Sequence, residues 1–116
     1  MIFTTNIKPV SENRRLIPAK TRLVASTEYR KAKEAIRQEF SLQHTGAPSE
    51  GPVEVLITCR PGRSDLTAWN KMLCDCLNGI AYLDDKQIES ITVEKTRDKA
   101  CPLVTVVVEE YHESRE

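Results

Sequence analysis

The sequence contains no long apolar run. No stretch approaches the roughly 18 residues that a bilayer-spanning helix needs. The opening residues, MIFTTNIKPV, lack a basic start followed by an apolar stretch, so no signal peptide is expected and the chain is read as cytoplasmic. Cys-x-x-Cys pairs are also missing. Cys59, Cys74, Cys76 and Cys101 stand apart, and neither His44 nor His112 lies at ligand spacing, which argues against a zinc site. Cys74 and Cys76, two positions apart on an expected helix, point about 200° away from each other. All four are expected as reduced, partly buried thiols. The two histidines are expected at the surface without partners. Repeats and low-complexity tracts are absent, and aromatic residues make up only 5% of the chain. With 116 residues and 40% hydrophobic content, a single domain over residues 1–116 is expected, because a second would be too small to hold a core.

Net charge is absent too: 17 basic and 17 acidic residues cancel, which taken alone argues against a nucleic-acid partner. The distribution argues otherwise. Residues 1–60 carry ten Lys/Arg against six Asp/Glu, and residues 61–116 carry seven against eleven. Arg14, Arg15, Lys20 and Arg22 fall between Asn13 and Thr27 with no acid among them. A basic half beside an acidic half suits a protein that holds phosphates on one surface and cations on another, although a solvated basic loop would look the same.

Along the chain, FTTNIKPV fits a first strand ending at Pro9, followed by a long basic loop or hairpin with Pro18 at its tip. A helix begins near Ser26, a good N-cap with Glu28 in its first turn. Its apolar face is Tyr29, Ala32, Ile36 and Phe40, while Arg30, Lys33 and Arg37 form a stripe that would ordinarily be solvated. QHTGAPSEGP is a loop. PVEVLITCR alternates as a half-buried strand. A second helix then carries Leu66, Trp69, Met72, Leu73, Cys76, Leu77 and Ile80 at helical spacing, stopped by Asn78-Gly79. Two further strands follow, near Ile88–Glu94 and at LVTVVVEEY. This order predicts an α/β (α+β) fold, a mixed sheet of about four strands packed with two helices.

Two acidic clusters flank the second helix. Asp65 stands at its start, and Asp84-Asp85 follow its end; Thr67 and Lys71, four apart, share a side off its apolar face. A carboxylate at a strand end, a lysine on a helix and a second carboxylate pair would make a hard-cation site. Mg²⁺ takes one or two carboxylates, several waters and substrate phosphate oxygens. Each residue also has a plainer reading: Asp65 as an N-cap, Lys71 as a solvated helix residue, Asp84 and Asp85 as turn formers.

The segment RSDLTAWNKMLCDCLNGIAYLDDKQIESI resembles the core of the RusA family of Holliday junction resolvases. Asp65, Lys71, the DCLNG run from Asp75 to Gly79, and Asp84-Asp85-Lys86-Gln87-Ile88 match the family's motifs in register, and SENRR and RLVASTEYRKAKEAI resemble its N-terminal half. The resemblance implies a structure-specific endonuclease of recombination and repair. It would cut four-way DNA junctions as a homodimer with Mg²⁺, or with Mn²⁺. Carried over, Asp65 and Asp85 hold the metal with Asp84 in support, Lys71 takes part in catalysis, and Arg14, Arg15, Lys20 and Arg22 grip the DNA backbone. Thr67 stands where the family has a second aspartate and would contact the metal through its hydroxyl or a water. Asp75 is not expected to stand in, since ten helical residues from Asp65 is about 15 Å. The loss of that aspartate also allows a DNA-binding protein of the same fold without hydrolysis, and a protein-interaction module is the remaining class. For the dimer contact, the LVTVVVEEY strand is expected at a sheet edge; the Trp69 and Met72 helix face is a second candidate, although Trp69 is expected in the core.

Overall fold

The computed structural model describes residues 1–11, 16–19 and 22–113, with 16–19 and 22–25 described by backbone alone. Its centre is β4 (Val53–Cys59), where alternation puts Val53, Val55, Ile57 and Cys59 inward and leaves Glu54 and Leu56 exposed. β6 (Val104–Glu110) runs antiparallel to β4 and contributes Val104, Val106 and Val108 to the same core. β1 (Ile2–Thr5) adds Phe3 from the far side of β6, and β5 (Ile88–Lys95) pairs in parallel with β4. The resulting order, β1-β6-β4-β5, is a mixed four-stranded sheet, as the element pattern predicts.

Two details of the strands differ from expectation. β6 is not an edge: its backbone bonds β1 on one side and β4 on the other, so it offers no free ladder to a second chain. Its β-branched valines suit a strand hemmed in on both sides as well as they suit an edge. β1 ends at Thr5 rather than Pro9, because the Thr5 hydroxyl captures the Ile7 N–H at 3.0 Å and turns the chain away from the ladder.

β2 (Leu16–Ala19) and β3 (Arg22–Ala25) form a separate antiparallel hairpin. Pro18 lies opposite Leu23 within that ladder, not at the tip. A two-stranded ribbon has free outer edges on which the missing N–H of proline costs nothing.

Helix α1 (Thr27–Leu42) starts as expected, with Ser26 Oγ accepting from Tyr29 N at 3.0 Å. Tyr29, Ile36 and Phe40 are buried, and the Phe40 ring meets Phe3 with centroids 5.4 Å apart. Just past the helix, the Gln43 carboxamide accepts from Thr4 N and donates to Thr4 O, standing in for a neighbouring strand at the free edge of β1. His44 also has a partner, contrary to expectation: it packs edge-on against Phe3, with centroids 6.1 Å apart.

Helix α2 (Asn70–Cys76) is much shorter than its apolar spacing suggests. Residues 65–69 form successive turns, in which Ala68 N donates to Asp65 O and Asn70 N to Thr67 O. Three-residue turns also return every third side chain to one face, so Leu66 and Trp69 pack inward as a helix would place them. Trp69 and Met72 are core, which removes that helix face as a docking surface. The N-cap of α2 is Trp69 and carries no side-chain bond, so Asp65 does not cap the helix. The four cysteines are free, three of them buried, and burial pushes the Cys74 thiol up to about 11 and Cys76 to about 12. Among the described residues no helix is long and apolar enough to cross a membrane.

The stop of α2 is built from a distance. Gly79 takes φ +80°, and Arg37 of α1 donates from Nη1 to Asn78 O at 2.6 Å and to Cys76 O at 3.3 Å. A cation on the last carbonyls of a helix satisfies orphan acceptors and complements the dipole. One member of the basic stripe on α1 is therefore a clamp between the two helices. Arg37→Ala should cost about 1–2 kcal/mol, the worth of charge-assisted hydrogen bonds that are partly in solvent. Urea unfolding checks this, and an unchanged midpoint would show that the clamp carries no stability.

Candidate active site

After α2 the chain reverses at Gly79, where Gly79 N bonds Tyr82 O at 2.7 Å. The buried Tyr82 hydroxyl donates to Cys74 O at 2.6 Å, tying this reversal to the helix. Asp84 then sits in extended backbone (φ −151°) and caps a 3-10 turn, Asp85–Gln87, its Oδ1 accepting from Lys86 N. Gln87 closes the reciprocal half of the capping box. Its Oε1 accepts from Leu83 N and Asp84 N, and its Nε2 donates to Ser49 O and Gly51 O, all between 2.8 and 3.0 Å. One side-chain amide thus fixes the aspartate turn to the loop that precedes β4. The DD-x-Q spacing contains this residue, but only the structure shows that it positions the pair.

The turn sets Asp85 beside α2. An open cleft of about 420 Å³ is lined by Asn70, Lys71, Cys74, Asp85, Ile88 and Glu89, among others. Lys71 Nζ lies 3.3 Å from Asp75 Oδ1, one helical turn on. Asp75 is the better shielded of the two, with 14% of its side chain exposed against 38% for Lys71. The Asp75 charge also reaches Asp85. Asp75 stands beside the cleft through this ion pair to Lys71, which lines it.

Electrostatics separate the two neighbouring aspartates. The Lys86 N–H holds Asp84 below its ordinary carboxylate value. Asp85 is pushed above its own, first by burial, then by the Asp84 side chain and the Asp75 charge, while Lys71 pulls the other way. Like charges crowding one half-buried carboxylate leave room for a further cation.

Among the described residues no three His, Cys, Asp or Glu side chains are gathered to hold a metal ion. Asp65, Asp84 and Asp85 therefore do not form a three-carboxylate cage. The oxygen donors at Asp85 still fit Mg²⁺, which binds through one or two carboxylates and keeps several waters. Asp65 and Thr67 are exposed on the turns between β4 and α2, where their carbonyls close those turns. Asp84 is exposed and committed to its cap. Arg14, Arg15 and Lys20 lie outside the described residues, and only the backbone of Arg22 is described.

A protein-family model described as Endodeoxyribonuclease RusA matches residues 6–109. No curated protein matches the chain.

The raised Asp85 value has a consequence for stability. A carboxyl that holds its proton more tightly folded than unfolded favours the fold below its unfolded value, and that contribution is lost as pH rises through the folded value. At neutral pH, metal-free protein thus carries an unfavourable charge at Asp85. Asp85→Asn should raise the melting temperature of metal-free protein at pH 7, and the gain should vanish in acid, where the wild-type carboxyl is protonated. Calorimetry across that range checks it; an equal gain at every pH would mean the charge is not the cause.

Proposed function

We propose, from the premise that this chain belongs to the RusA endodeoxyribonuclease family, whose members act on branched DNA junctions, that it cuts four-way junctions by Mg²⁺-assisted phosphodiester hydrolysis in recombination and repair. The observation that carries the reading is the cleft in which Asp85, crowded by Asp84 and Asp75, faces Lys71. Asp85 and Asp65 would hold the ion, with Asp84 in support. When bound, Mg²⁺ or Mn²⁺ would activate water and neutralise charge on the scissile phosphate. Lys71 donates to a phosphate oxygen and stabilises the negative charge that develops there. Asp75 orients the Lys71 ammonium from 3.3 Å. Gln87 keeps the turn bearing Asp85 in place. Arg14, Arg15, Lys20 and Arg22 grip the DNA backbone, where contacts position without reading sequence.

Thr67 favours a second reading. It is exposed and supplies no carboxylate, so a junction-binding protein with impaired hydrolysis has a specific basis. A synthetic four-way junction with Mg²⁺ separates the two. Under the nuclease reading the wild type cleaves, and Asp85→Asn and Asp65→Asn each lower the rate at least about 100-fold, the scale of losing one preorganised stabiliser. Junction affinity stays equal or tightens, since the metal charge serves only the chemistry. Tight binding without cleavage by the wild type favours the impaired reading, and wild-type cleavage by either variant removes that residue from the metal site.

The protein would act as a homodimer. A junction has two equivalent cleavage points related by a twofold axis, and each chain carries one cleft. With β6 paired on both sides, the free ladder of β5 is a surface among the described residues that a second copy could pair with. Sedimentation equilibrium at micromolar concentration should give twice 13.1 kDa. A 13.1 kDa species that makes paired, symmetric cuts overturns the dimer.

A further inference from the structure

We propose that the carboxyl ends of β4 and β5 form a second DNA-contact site, a basic groove that binds the phosphate backbone of a junction arm away from the scissile bond; this rests on the nuclease reading above. The groove is an open volume of about 500 Å³ lined by Arg60, Lys95, Arg97 and Lys99, with the Gly62 turn and Thr96 between them. No acid lines it. Lys95, Arg97 and Lys99 are exposed, and none of the four cations has an ion-pair partner among the described residues. Of the acids adjacent in sequence, Glu94 lines the outer face of the sheet, and Asp98 turns into its own loop, where it accepts from Ala100 N and the Cys101 thiol.

The groove is built rather than fluctuating. Thr96 N bonds Cys59 O at 2.9 Å and Arg60 N bonds Leu103 O at 3.1 Å, pinning the segment that follows β5 to the end of β4. Arg60 Nη2 donates to Cys101 O at 3.1 Å, which fixes the guanidinium, while its Nε is buried with no protein partner. Gly62 takes φ +63°, and the space where a Cβ would stand is empty, so nothing obstructs approach along that side.

The chemistry selects a backbone ligand. Two arginine forks and two lysine point charges suit phosphate oxygens. With no aromatic side chain lining the groove there is nothing for a base to stack on, so contacts there position without reading sequence. The groove opens at the other end of β5 from Asp85. Asp85 lies just before β5 and Lys95 ends it, and eight residues at about 3.3 Å per residue span about 23 Å. That is roughly two-thirds of a duplex turn of 34–36 Å, so phosphates met by Lys95, Arg97 and Lys99 lie along an arm from the one held at Asp85.

The test is the combined variant Lys95→Ala/Arg97→Ala/Lys99→Ala, with Arg60 retained because it holds the Cys101 carbonyl. Junction affinity is measured without metal across a series of salt concentrations, and cleavage is measured at saturating junction. Loss of three phosphate contacts should weaken binding equally on junctions of different sequence and lower the slope of log K against log salt by about 2.7. The cleavage rate at saturation should not change. The matching glutamine variant, with longer side chains, should behave alike and controls for folding. Wild-type affinity and salt slope in both variants overturn the groove and leave the nuclease reading intact. Cleavage lost at saturation would assign these cations to the chemistry and also overturn it. If the wild type binds no DNA at all, the nuclease reading itself fails.

Discussion

The parallel pairing of β4 with β5 is the constraint from which the rest of the arrangement follows. Two parallel neighbours cannot be joined by a tight turn; the chain must leave one end of the sheet and return to the other. Here that crossover occupies residues 60–87 and holds Asp65, Thr67, Lys71, Asp75, Asp84 and Asp85. Its return is what lays Asp85 against α2. Its departure, together with the exit from β5, gathers Arg60, Lys95, Arg97 and Lys99 at the opposite end. One topological requirement thus produces an acidic cleft and a basic groove toward opposite ends of β5.

The cleft stores unfavourable electrostatics that packing elsewhere offsets. Asp85 is half-buried and feels two other carboxylates, and Lys71, the cation whose charge opposes them, is already engaged by Asp75. A fold selected for stability alone would place a neutral or apolar side chain there. The surrounding structure holds the position rigidly instead, through the fourfold bonding of Gln87, the Tyr82 hydroxyl on Cys74 O, and the Arg37 clamp on the end of α2. Support of this kind around a carboxylate with a raised value is the pattern of a candidate functional site.

Much of the fold was legible because period and capping are local. Ser26 as cap, the Tyr29–Ile36–Phe40 face and the alternation of β4 needed no tertiary knowledge. The length of α2 was not legible, since turns of three residues and a helix return apolar side chains to nearly the same face. Nor was the place of β6: a valine run reads alike at the edge and in the middle of a sheet, and only pairing decides. The aspartate turn was visible as a motif, but the partners of Gln87 lie 36 and 38 residues back and are set by the fold. The same holds for the action of the Asp75 charge on Asp85, which the return of the chain past α2 brings about.

Charge shows the same division between sequence and fold. The sums over each half of the chain conceal Lys95, Arg97 and Lys99 of the groove, which fall in the acidic half, because Glu94 and Lys95 are adjacent in sequence and cancel in any count. On a strand, adjacent residues face opposite ways. Glu94 joins Glu54 and Glu109 on the open outer face of the sheet, whereas Lys95 joins Arg60 and Arg97 in the groove. A protein of zero net charge can therefore present strongly unlike surfaces, and the acidic outer face would repel the same phosphates that the groove attracts. That asymmetry would orient a duplex arm without any sequence readout, as recognition of branch shape requires.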